Sequence, residues 1–88
     1  MDYKTIVLKS NDPLELNSYL NLLPEKTVQE LTCLMYLGRG IIEETLPKDA
    51  SIKDIVKEPY ISQDKQHNIG VLVEKHKNIP LYFSQLHF

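Results

Sequence analysis

The stretch from Pro24 to Leu37 constrains the fold more than any other part of the chain. As a helix it spreads Val28, Leu31, Leu34, Met35 and Leu37 over a wide apolar arc, with only Glu25, Gln29, Thr32 and Tyr36 along a narrow polar stripe. A helix apolar around most of its girth must be covered by neighbours, which places it in the middle of a bundle. Pro24 is tolerated in a first helical turn, and Glu25 sits favourably at the positive end of the helix dipole. Gly38 and Gly40 follow, and residues able to take positive φ commonly end a helix. The central helix is therefore expected to stop near Leu37 and the chain to turn at Gly38-Arg39-Gly40.

The flanking segments read as shorter elements. Asp12-Pro13-Leu14-Glu15 is a helix start, with Asp12 as cap, Pro13 preset for the first turn and Glu15 able to complete a capping box. Leu16, Tyr19, Leu20 and Leu23 then fall on one stripe before Pro24 ends the segment. Beyond Gly40, Ile41 to Ala50 has no clear period and is expected to be a connection with one helical turn at Ile42 to Thr45. Ser51-Ile52-Lys53-Asp54 resembles a capping box opening a short helix that Pro59 closes. Ser62 is placed to cap a helix through Ile69, Leu72, Val73 and His76, ended by Asn78, and Pro80 to Phe88 forms a terminal helix with Phe83, Leu86 and Ile79 on one side. Tyr3 to Leu8 is rich in β-branched residues but has no second strand to pair with, so it is expected to be extended. The chain thus reads as a single helical domain over residues 1–88: an all-α, compact bundle of about four to five short helices around a buried central helix, with an extended N-terminal segment.

Composition narrows function mainly by exclusion. The net charge is −2, and the balance is even along the chain: residues 1–40 carry four Lys/Arg against five Asp/Glu, and residues 41–88 carry six against seven. No global field attracts nucleic acid or an anionic membrane, so neither is expected as a partner. No run approaches the ~18 apolar residues of a membrane span, and the first residues lack the apolar stretch of a signal peptide. The single cysteine, Cys33, cannot form an internal disulfide. These features lead us to expect a cytoplasmic protein.

Glu15-Leu16, Tyr19-Leu20, Leu23-Pro24-Glu25 and Glu30-Leu31, through Leu34-Met35-Tyr36-Leu37-Gly38-Arg39-Gly40, resemble a family of small bacterial proteins known as a domain of unknown function. That family carries a leucine-rich helix ending in Leu-Gly-Arg-Gly after an acidic corner, and later a Pro-Leu step that Pro80-Leu81 and Leu86 resemble. The resemblance implies a helical fold and brings no catalytic residues with it.

Candidate chemistry is sparse. Arg39 between two glycines can offer its fork to a carboxylate or phosphate, with Tyr36 and Thr32 along the same stripe; alternatively it favours the negative helix end and pairs with Glu43, Glu44 or Asp54. Cys33 lies in apolar surroundings that raise a thiol's pKa and suppress reactivity. His67, His76 and His87 are spaced nine and eleven residues apart, unlike the i, i+4 histidines of zinc motifs, so neither metal nor cofactor is expected. Glu43-Glu44 point apart on a helix and do not suggest an acid/base pair, and no catalytic residue is assigned. Lys75-His76-Lys77 lacks the aromatic interleaving of a single-strand binder.

Two functions remain. The first is a non-catalytic protein-interaction module, meeting another protein or a second copy through surplus apolar side chains such as Leu14, Leu22, Tyr60-Ile61 and Tyr82-Phe83. The second is a small-ligand or anion-binding protein, or an enzyme, whose site is Arg39 with Gly38, Gly40 and Tyr36.

Overall fold

The computed structural model describes residues 3–50 and 64–86, and within them the chain forms five helices and no strand. These are α1 (Tyr3–Lys9), α2 (Pro13–Asn21), α3 (Glu25–Ile42), α4 (Lys65–Glu74) and α5 (Ile79–Ser84). The 18 residues of α3 span about 27 Å at the helical rise of ~1.5 Å per residue, and both α4 and α5 pack along it. Helix α2 packs on α4, and α1 closes the group against α2 and α5.

Val28, Leu31, Leu34, Met35 and Leu37 are all buried, as the apolar arc requires. Each such side chain removed from water contributes about 1.5–3 kcal/mol before ordering entropy is charged against it. The polar stripe is narrower than expected, because Thr32 is buried as well. Its hydroxyl donates to the Val28 carbonyl at 2.9 Å, satisfying the group without a partner from another helix. Glu25 is exposed, while Gln29 and Tyr36 are half-buried.

The N-terminal segment corrects the sequence reading: residues 3–8 are not extended but lie in helix α1. Seven residues cannot hold a helix alone in water, so packing decides the matter. Ile6 is 1% exposed in the shared core and Val7 packs beside it. The exit is tied by local side-chain bonds, Ser10 Oγ donating to the Val7 carbonyl at 2.6 Å and Asn11 Nδ2 to the Leu8 carbonyl at 3.2 Å. The modest cost of β-branched residues in a helix is outweighed by this burial.

Helix α2 starts where expected. Asp12 is extended and its carboxylate accepts the Leu14 N–H at 2.9 Å, with Pro13 in the first turn. Glu15 does not complete a capping box; it pairs with Lys9 at 3.4 Å, and the Asp12 N–H goes to the Lys9 carbonyl. Leu16 and Leu20 are fully buried, and Tyr19 and Leu23 flank them. Helix α4 is capped by Asp64, which accepts the His67 N–H at 2.8 Å, and ends at Glu74, ahead of Asn78, which instead precedes α5. Ile69, Leu72, Ile79 and Phe83 enter the core, and Leu86 packs against it. The expected helix at Ser51 to Pro59, the Ser62 cap and residues 87–88 lie outside the described residues.

The end of α3 is the second correction. The helix does not stop at Leu37 and no turn forms at Gly38-Arg39-Gly40; it runs on through Ile41 and Ile42, and no glycine has positive φ. The left-handed residue is Glu44, at φ 61°. Its N–H donates to the Ile41 carbonyl at 3.2 Å and the Thr45 N–H to the Gly40 carbonyl at 2.9 Å, the paired bonds of a Schellman ending.

Candidate functional site

The two glycines of α3 serve packing, and together they shape the surface at the end of that helix. A Cβ at Gly38 would collide with the Tyr82 carbonyl group, whose carbon would lie at 2.6 Å, so only glycine lets α5 come this close. A Cβ at Gly40 would meet Leu46 Cδ1 at 2.5 Å, so this glycine admits the returning loop. Positions two apart are about 200° apart around a helix, which is why the pair serves different neighbours. One fixes α5 beside α3, and the other folds residues 43–46 back onto it.

Between α5 and that loop opens a cleft of about 680 Å³. Its apolar lining is Ile41, Ile42, Leu46, Pro47 and Leu81, and its polar lining is Glu44, Thr45, Lys48 and Gln85. Leu81 is 53% exposed there, and Ile42 and Leu46 are only half-buried. The carbonyls at the end of α3 are already engaged: that of Gly40 accepts from the N–H groups of Thr45 and Leu46 and from the Thr45 hydroxyl, and that of Arg39 accepts from Glu43. What the cleft offers a visitor is therefore apolar surface together with the polar side chains of Glu44, Thr45, Lys48 and Gln85.

Arg39, Gly38, Gly40 and Tyr36 are not among the residues lining this cleft; the two glycines set its walls from behind. Arg39 Nε donates to Glu43 Oε1 at 3.0 Å, one turn on, with both side chains well exposed. That hydrogen bond first, and the Glu43 charge second, holds the guanidinium above its ordinary pKa range. An exposed pair at this spacing is worth about 0.3–0.5 kcal/mol. Tyr36 is half-buried and packs against the core.

Other reactive side chains are placed for structure. Cys33 is buried, and desolvation, followed by the charge of Glu30, pushes its thiol above the ordinary value. His76 Nδ1 lies 3.0 Å from the Ser10 carbonyl, and since a carbonyl only accepts, the ring donates. That contact ties the end of α4 to the end of α1. His67 is exposed, and His87 lies outside the described residues. Among the described residues no three His, Cys, Asp or Glu side chains gather as metal ligands, and no helix is long and apolar enough to cross a membrane.

The cleft residues Ile41, Ile42, Leu46 and Leu81 carry little local signal. Ile41-Ile42 reads as the start of a connection until α3 is seen to continue, and Leu81 reads as part of a docked terminal helix. Comparison with known protein families, with curated proteins and with solved structures finds no match to this chain.

Proposed function

We propose that this chain is a non-catalytic protein-interaction module, acting in the cytoplasm, that receives an apolar segment of a partner in the cleft at the end of α3. The observation that carries this reading is Leu81, 53% exposed in a concave apolar site. Leu8, Leu14 and Leu22 are also exposed, at 68%, 77% and 84%, but single exposed apolar side chains are ordinary. Leu81 lines the cleft together with Ile41, Ile42, Leu46 and Pro47, so a visiting side chain there meets several apolar neighbours at once. Completing the burial of one leucine yields about 1 kcal/mol, so the cleft serves as an anchor within a larger contact.

The anion-clamp alternative has less support, since the Arg39 Nε is held by a carboxylate. The lone buried thiol of Cys33 suits a reducing compartment.

A photo-reactive phenylalanine analogue at position 81 tests the proposal, with one at the exposed Asn17 of α2 as control. The expected result is a cross-linked adduct of discrete mass from position 81 and none from position 17. Adducts from neither position, or the same ones from both, would defeat it.

A further inference from the structure

We infer that the segment received by the cleft carries Lys or Arg beside its apolar anchor, and that Glu44 selects it. The inference rests on the reading of the cleft as a docking site. Glu44 is the one non-glycine residue at positive φ among the described residues, and it lines the cleft. Left-handed backbone disfavours a side chain with a Cβ, and helix endings of this type usually place glycine or asparagine there. The chain has glycines on this same helix, four and six residues earlier, yet places a carboxylate at the strained position. Strained positions gather at ligand sites, where a fixed group is useful.

Three features make the carboxylate a receptor for cations. Its backbone is held by the bond from its own N–H to the Ile41 carbonyl and by the flanking Thr45 to Gly40 bond, so the side chain leaves the helix end in a set direction. No hydrogen bond or ion pair among the described residues engages its side chain. It also stands at the C-terminal end of α3, where the helix dipole adds negative potential. Lys48 lies on the same cleft and offers the opposite charge, on a side chain about as free as that of Glu44. The negative end of α3 works with Glu44 and against an anionic visitor, which makes the carboxylate the stronger determinant.

The test uses three synthetic nonapeptides sharing one leucine anchor and differing in flanks of Lys, Gln or Glu, titrated into the isotope-labelled full chain. The amide signals of Ile41, Ile42, Leu46 and Leu81 are the readout. The Lys peptide is expected to saturate these shifts at about two- to fivefold lower concentration than the Gln peptide, the range of a partly exposed ion pair. Glu44→Gln, which keeps the side-chain shape, should remove that advantage, as should high salt. Equal saturation by all three peptides would overturn the role of Glu44 and leave the docking function standing. Tighter binding of the Glu peptide would overturn it in favour of Lys48. Shifts at these amides that appear on concentrating the protein alone would assign the cleft to a second copy and overturn the inferred occupant. Silence of all four amides with every peptide would remove the inference and the docking site together.

Discussion

Gly38 of α3 lies against the main-chain carbonyl of Tyr82 in α5, so the two helices meet backbone to backbone with no side chain between them. A methyl group at Gly38 cannot be relieved by a rotamer change, because the obstacle is backbone, and α5 would have to move. Gly38→Ala is therefore expected to lose about 2 kcal/mol despite alanine's better helix propensity. Gly70 of α4 gives the matched control. A Cβ there meets nothing within 4 Å, so Gly70→Ala should gain about 0.5–1 kcal/mol. Urea unfolding of both variants checks the pair, and a Gly38→Ala protein as stable as Gly70→Ala would show that α5 does not sit where described.

Gly40→Ala should fall between these two. Its obstacle is Leu46 Cδ1, the end of a flexible side chain that can rotate away. A loss of about 1 kcal/mol is expected, with the amide signals of residues 44–48 displaced and those of α5 unchanged. Displacement of α5 signals instead would mean the two glycines do not serve separate neighbours.

Glu44 at φ 61° should be improved by glycine, which adopts that backbone without steric cost. Glu44→Gly is expected to raise the unfolding free energy by about 0.5–1 kcal/mol, offset in part by greater freedom in the unfolded chain. A destabilised variant in urea titration would show that the carboxylate makes contacts important to the fold.

These positions also show what local sequence can and cannot reveal. Helix α2 is legible because its limits are chemical and local: Asp12 caps it, Pro13 opens it and Pro24 closes it. The buried arc of α3 is legible because Val28, Leu31 and Met35 leave no other place for the helix. Its end is not, because glycine has two uses. Gly38 is needed by Tyr82, more than forty residues away, and Gly40 by Leu46, so neither marks the turn. The residue that does turn is a glutamate, which has no turn signature. Helix α1 escapes for a related reason: Thr5-Ile6-Val7 favour a strand locally, and only the burial of Ile6 among distant helices reverses that. The cleft inherits both difficulties, since its walls are set by Gly38 and Gly40 and its floor is Ile41 and Ile42, beyond the expected stop.

His76 donates to the carbonyl of Ser10, a buried residue just past α1, and so fastens α4 to the end of α1. Removing the donor leaves a buried acceptor without its bond, at a cost of about 1–2 kcal/mol. His76→Ala should therefore speed hydrogen exchange in α1 and leave α3 protected, whereas His76→Asn, which keeps a donor near the Nδ1 position, should restore much of the protection. Equal exchange in α1 for the wild type and both variants would mean α1 is held by Ile6 alone.

Cys33 makes stability depend on alkaline pH. Burial raises the thiol above its ordinary value of 9.0, with Glu30 adding to the effect. Above that value the unfolded chain releases the Cys33 proton first, while the folded chain retains it. The unfolded state then binds fewer protons than the native state, so stability falls as pH rises, and the contribution is fully present only below the unfolded value. Cys33→Ala cannot show this loss. It should be less stable than the wild type near pH 7, because the sulfur leaves a small void, and the gap should narrow steadily between pH 8 and pH 10. The same burial should make the native thiol slow towards a disulfide reagent until urea opens the helix bundle. A gap that stays constant across that range, together with rapid labelling of the folded protein, would place Cys33 in contact with water and remove it from the interior of α3.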